Sequence, residues 1–173
     1  MSYRVRQADP HDLAAVIALE RATPTAPHWP EPEYLRYLHG DDDRNTARRL
    51  FVAEREDPDQ DPDPLAPGSA ARLLGFAVGK VDRIGIACEG ELESVAVAED
   101  ARRTGIGAAL CRAVLEGCTE LGAEVVQLEV RRASVAAIAL YRQLGFQETG
   151  QRRRYYRDPP DDAVLMRWER LRR

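Results

Sequence analysis

Apolar and polar positions along this chain switch repeatedly between a period of two and a period near 3.6, the signatures of strand and helix. The opening YRVRQA reads as a strand. In DPHDLAAVIALERA, Asp9 is placed as a helix cap and Pro10 at the first helical position. Leu13, Val16, Ile17 and Glu20 then follow helical spacing, three of them apolar. EPEYLRYLHG predicts a short second helix closed by Gly40. RLFVAERE and ARLLGFAVGKV predict two strands, the second with Leu74, Phe76 and Val78 alternating, and IACEG reads as a turn. In the next strand, ELESVAVAE, Leu92 holds an even position while Val95 and Val97 hold odd ones. A β-bulge produces such a change of parity, and so does burial of both strand faces.

A long helix follows from about Gly105 to Leu121, with Ile106, Ala109, Leu110, Ala113, Val114, Cys118 and Leu121 on one stripe and Gly122 at its end. EVVQLEV predicts a strand with Val126, Leu128 and Val130 on one face and Val125, Gln127 and Glu129 on the other. SVAAIALYRQLGF is a helix opened by Ser134 and closed by Gly145, leading through FQETGQRRRYYR to a last strand, DAVLMRWE. The expected fold is α/β (α+β): a mixed, mostly antiparallel sheet of about six to seven strands, with helices on both faces. One domain is expected to span residues 1–173. Residues 56–70, rich in proline and acid, can neither pair in a sheet nor build a core, and read as a hairpin-loop insert.

Composition narrows the partners. Hydrophobic residues make up 44% of the 173 and charged residues 31%, with a net charge of −4. That balance argues against a surface devoted to nucleic acid or anionic lipid. No apolar run approaches a membrane span and no secretory leader is seen. Cys88, Cys111 and Cys118 show no pairing pattern, and the last two lie about two helical turns apart, too far for a disulfide. Structural thiols in a reducing, cytoplasmic compartment are expected. The three histidines form no pair, and no metal-ligand spacing occurs.

The candidate chemistry begins at Arg102–Leu110, RRTGIGAAL. A dinucleotide fingerprint needs a third glycine where Leu110 stands, and a nucleoside-triphosphate loop needs a Lys-Ser/Thr pair. A loop that merely caps a helix is the plain alternative. Arg102 and Arg103, however, stand before a helix whose first amides are free, and Gly105 and Gly107 leave those amides open to a phosphate. The combination suits a diphosphate.

RRTGIGAAL resembles the Q/R-x-x-G-x-G/A motif of the GNAT N-acetyltransferase superfamily. Glu91–Arg167, through LEVR, AAIALYRQLGF, RRRYY and DAVLM, is similar to the bacterial ribosomal-protein alanine N-acetyltransferases. The resemblance implies acetyl-coenzyme A as cosubstrate and no metal. Val95, Ala96 and Val97 would offer backbone groups to the pantetheine arm and thioester. Arg102, Arg103, Thr104, Gly105, Ile106, Gly107 and Ala108 would hold the pyrophosphate. Glu129 would be general base and Tyr141 general acid, with RRRYYR on a hairpin bordering the acceptor site. Ser134 stands where the family usually has an asparagine that contacts the coenzyme.

Residue patterns alone leave roles open: Glu129 also fits a solvent-facing strand position, Glu93 is the reserve base, and Tyr141 fits a core tyrosine. The implied partner is a protein N-terminus, a ribosomal protein's among the candidates. A peptide α-amine is easier to deprotonate than a lysine by roughly 3 kcal/mol. A small-molecule amine, or a coenzyme-binding sensor without catalysis, are the alternatives. Neither membrane nor direct nucleic-acid binding is expected.

Overall fold

The computed structural model describes residues 2–39, 45–56 and 73–170. Gly40 and nearly all of the 56–70 insert lie outside the described residues. The elements run β1 (Tyr3–Gln7), α1 (Leu13–Arg21), α2 (Glu31–His39), β2 (Thr46–Arg55), β3 (Leu73–Ile84), β4 (Ala87–Val97), α3 (Ile106–Glu120), β5 (Val125–Arg131), α4 (Val135–Gln143), β6 (Gln147–Arg157) and β7 (Pro160–Glu169). The strands form a seven-stranded sheet in the order β1-β2-β3-β4-β5-β7-β6. Every neighbouring pair is antiparallel except β4 and β5. The expected α/β class and mostly antiparallel sheet are what the structure has.

Two apolar layers cover the sheet. On one face α3 brings Ile106, Leu110, Val114 and Cys118 onto β3 and β4, and Ile138 and Tyr141 of α4 join the same cluster. Glycines make this approach close: a Cβ on Gly79 would lie 2.7 Å from Cγ1 of Val114, and one on Gly75 only 2.8 Å from the Ala96 carbonyl oxygen. On the opposite face Val16, Tyr34 and Tyr37, from α1 and α2, cover Leu50, Val52, Phe76, Val78 and Ala96.

The parity change in β4 is a bulge. Val78 pairs with Ser94 and Gly79 with Leu92, so Glu93 is the extra residue. Leu92 accordingly belongs to the α3 layer, Val95 and Val97 pack against that same layer, and Ala96 joins the α1/α2 layer. One inserted residue turns the odd positions toward the side that the even ones had occupied.

Two local expectations shift. Asp9 does cap, accepting from the His11 amide at 2.8 Å while Asp12 accepts from the Asp9 amide at 2.9 Å, but the turn it opens is 3₁₀, and α1 begins only at Leu13. IACEG is mostly strand. Ile84 already pairs with Ala87, leaving Gly85 and Ile86 as a two-residue turn in which Gly85 takes φ 65°. A tight hairpin turn needs that left-handed backbone, which glycine adopts without strain.

The contact at Gly75 yields a stability prediction. Gly75→Ala pushes a methyl into a backbone carbonyl that the sheet holds in place. The expected loss is about 1–3 kcal/mol, read as a fall of roughly 3–10 °C in the thermal midpoint. An unchanged midpoint would mean that β4 yields at Ala96.

Candidate active site

β4 and β5 pair at only three positions, the last Glu91 with Gln127. Beyond it the bulge at Glu93 bends β4 away, and a cavity of about 440 Å³ opens between the strands. Its floor is Leu92–Val95 of β4 and Leu128–Arg131 of β5. Ser134, Ala137 and Tyr141 of α4 close one side, and Tyr156 of β6 closes the rim. Thr23, Thr25, Ala26 and Pro27, in the α1–α2 loop, form the remaining wall.

At the end of β4 the chain turns through Glu99–Ala101 into RRTGIGA. Gly105 is the residue before α3, with φ 90° and no side-chain bond to the helix amides. Arg103 also takes a left-handed φ of 64°. The Thr104 hydroxyl donates to the Ala101 carbonyl at 2.6 Å, and Nε of Arg102 donates to the Val97 carbonyl at 3.2 Å, tying the loop to the strand end. Ile106 is fully buried and anchors the helix start. A Cβ on Gly107 would meet nothing closer than Leu140 at 3.4 Å, so the chain's own packing does not demand glycine there. Helix amides without a cap, two arginines and no Cβ in the way fit a diphosphate. Ala108 follows on the first turn of α3. Val95, Ala96 and Val97 form a β4 edge that pairs with no β5 residue; Val95 lines the cavity, and the Val97 carbonyl accepts from Arg102.

Glu129 and Tyr141 both line this cavity, from β5 and α4 respectively. Glu129 faces away from the α3 layer, because its neighbours Leu128 and Val130 are buried there. Its carboxylate is not left to solvent: Nη1 of Arg152 lies 3.1 Å away, and the Tyr155 hydroxyl bonds to it. Tyr141 is 8% exposed, its ring set edge-on to Phe146 at 5.8 Å. Burial, with Cys111 and Tyr156 nearby, pushes its hydroxyl well above the usual tyrosine value. Ser134 precedes α4 without capping it, so its hydroxyl lines the cavity instead.

Glu93 also reaches this wall. It lies 3.8 Å from Nε of Arg48 and 3.7 Å from Nζ of Lys80, and burial raises its pKa against the pull of both cations. Lys80 is itself shared with Asp82 and Glu91 at 3.2 and 2.9 Å. A second cavity of about 330 Å³ lies on the other side of Glu129, bordered by Asp82, Glu89, Glu91 and Arg152.

Sequence reasoning missed two parts of this site. Arg131 grips the β6–β7 turn, donating to the carbonyls of Pro159 and Asp158 at 2.8 and 2.9 Å, and its guanidinium lies 4.1 Å from the centre of the Tyr156 ring. Period-two spacing does put Arg131 on the Glu129 face, so its place was readable there. The α1–α2 wall had no such signal. Among the described residues, no three His, Cys, Asp or Glu side chains gather as a metal site, and no helix is long and apolar enough to cross a membrane. The three cysteines are free, and burial raises the thiols of Cys111 and Cys118 to about 12.

Comparison with known proteins places these features in a family. The acetyltransferase (GNAT) family pattern matches residues 13–146, from α1 to the start of β6. The [ribosomal protein bS18]-alanine N-acetyltransferase of Escherichia coli K12 is 37% identical over 97 residues, covering 55% of this chain and 63% of that protein. The N-alpha-acetyltransferase RimI of Mycobacterium tuberculosis is 41% identical over 101 residues, covering 57% and 61%. The chain thus spans less than two thirds of these curated relatives. Arabidopsis thaliana NAA60 in complex with acetyl-CoA shares the fold, with a TM-score of 0.78 at 19% identity over 97% of this chain and 98% of that one.

The tyrosines of this site give a prediction of pH dependence. Tyr141, Tyr155 and Tyr156 are all raised, Tyr156 to about 12, mainly by burial except at Tyr155, where the bond to Glu129 leads. Below the unfolded value near 10 both states keep their protons, and above it the unfolded chain loses them first. Stability is therefore expected to be intact below about pH 10 and to fall as pH rises toward 12. In a spectrophotometric titration, tyrosinate absorbance should rise together with loss of the folded circular dichroism signal. Ionisation of these tyrosines near pH 10 in folded protein would contradict the burial argument.

Proposed function

The chain belongs to the acetyltransferase (GNAT) family, and from that premise we propose that it moves the acetyl group of acetyl-coenzyme A to an amine, foremost the α-amine of a protein N-terminus. The observation that carries this reading is the convergence of Glu129 and Tyr141 on one cavity, at the gap between β4 and β5. The names of the curated relatives support the acceptor class, and a ribosomal protein's N-terminal alanine is the first acceptor to try. The free, partly buried thiols support a reducing, cytoplasmic setting.

Acetyl-coenzyme A, when bound, supplies an activated thioester carbonyl. The loop from Arg102 to Ala108 would hold its pyrophosphate on the α3 amides, and the open edge at Val95–Val97 would bond its arm and the thioester oxygen. Ser134 has a hydroxyl for one further bond. Glu129 now pairs with the Arg152 cation, and an incoming ammonium would take that cation's place. The carboxylate would then accept the ammonium proton as nitrogen bonds to the carbonyl carbon. As the carbon–sulfur bond breaks, the Tyr141 hydroxyl, kept neutral by its burial, would give its proton to the departing thiolate and take the surplus proton of the new amide nitrogen in return.

Glu93 is the alternative base: it lines the same cavity, and burial raises its pKa. With Glu93 in that role, the fall of activity on acidification should set in above the ordinary carboxylate range. A small polycationic amine is the second reading of the acceptor, favoured by Asp82, Glu89 and Glu91 around the second cavity.

Turnover of acetyl-CoA with an alanine-starting peptide should drop about 100-fold or more in Glu129→Gln and in Tyr141→Phe, with coenzyme affinity nearly unchanged. Full activity in both variants removes these roles, and loss confined to Glu93→Gln transfers the base to Glu93. Peptides inert beside active polyamines would decide for the second reading.

A further inference from the structure

Glu20 is a carboxylate with 1% exposure, one of only two polar side chains buried among the described residues. It sits in the last turn of α1, where the helix dipole disfavours an anion. Burial and dipole both oppose its charge, and its partner is unusual. The backbone N–H of His28, eight residues on, donates to its Oε1. His28 holds a left-handed φ of 54°, which a side-chain-bearing residue keeps only where its surroundings enforce it. The buried Tyr34 hydroxyl faces the same carboxylate.

The segment pinned by this bond is the cavity wall. Between Glu20 and His28 lie Thr23, Thr25, Ala26 and Pro27, the four loop residues that border the site. The rest of the loop is tied locally. The Thr23 hydroxyl donates to Leu19 O at 2.9 Å, the Ala26 amide to Thr23 O at 3.0 Å, and Nε2 of His28 stands 3.1 Å from that oxygen. Trp29 then packs on Tyr34 and Tyr37, at ring distances of 5.7 and 5.2 Å. None of these ties joins the His28 end of the loop to the body of α1 except the bond to Glu20.

We infer that Glu20 is a positioning residue for acceptor binding: it holds the α1–α2 loop as the acceptor-side wall through the His28 amide, without touching the reacting atoms. This rests on the acetyltransferase reading of the cavity. The pyrophosphate loop and the β4 edge lie on other elements, so loss of the bond should weaken acceptor binding and spare the coenzyme.

The experiment compares Glu20→Ala, Glu20→Gln and Val16→Ala, the last emptying space on the same buried helix face without reaching the loop. In Glu20→Ala the KM for an alanine-starting peptide should rise about tenfold or more, with the KM for acetyl-CoA within about twofold, because a charge-assisted bond is lost. Glu20→Gln keeps an acceptor for the amide and should recover most of that loss. Val16→Ala should lower the melting temperature without the split. Equal splits in Glu20→Ala and Val16→Ala, or none in Glu20→Ala, overturn the inference. Should Glu20→Ala not fold, Glu20→Gln decides through hydrogen exchange at the His28 amide. Slow exchange of that amide in Glu20→Gln, as in the wild-type protein, supports the anchor, and exchange at the unprotected rate in both overturns it. A wild-type protein that acetylates no amine defeats the function reading instead, and the exchange measurement still reports on the anchor.

Discussion

The inserted residue at Glu93 is the constraint on which the rest of the molecule turns. Parallel strands tend to stay paired, since each backbone group left open toward an apolar layer is costly. β4 and β5 give up that pairing after three positions because the bulge bends β4. The gap is the cavity, and β4 beyond Glu91 has no β5 partner along it. The same extra residue turns Val95 and Val97 toward the α3 layer and sets Glu93 between Arg48 and Lys80. One local irregularity therefore creates the space, its polar lining and its buried carboxylate together.

Around that gap the polar groups restrain one another. Arg152 and Tyr155 hold Glu129, Arg131 holds the turn of the hairpin that carries Tyr156, and Lys80 is shared among three carboxylates. Most of these pairs are partly exposed and contribute little to stability singly. Their effect is positional: Glu129, Glu93 and the β6–β7 turn each have partners that set their direction.

Much of this was readable from residue order, for identifiable reasons. Period-two alternation placed Glu129 on the face away from the core, and Leu92 against Val95 and Val97 showed a parity change that a bulge or two-sided burial would produce, because both patterns depend on neighbouring residues alone. Gly105 and Gly107 marked the entry to α3 for the same reason, and the left-handed φ of 90° at Gly105 came only with the structure. The insertion of β7 between β5 and β6 joins residues that are far apart in sequence, and no local pattern states it. The α1–α2 wall was hidden likewise: Thr23–Pro27 look like any polar loop, and the bond from Glu20 to the His28 amide that adds to their local ties has no sequence signature. IACEG misled because a two-residue turn leaves most of a turn-like string free to pair.

The bare start of α3 has a consequence for the whole sheet. A helix that begins with glycine in place of a capping Ser, Thr or Asp forgoes about a few tenths of a kcal/mol, and here Gly105 leaves the position open. Any anion that settles on those amides supplies the missing term, so its binding energy is returned as folding free energy by mass action. Because α3 rests directly on the glycines of β3, that gain is felt throughout the layer beneath it. A loop able to take an anion there is then a stability element as well, and the protein is most completely folded when that position is filled.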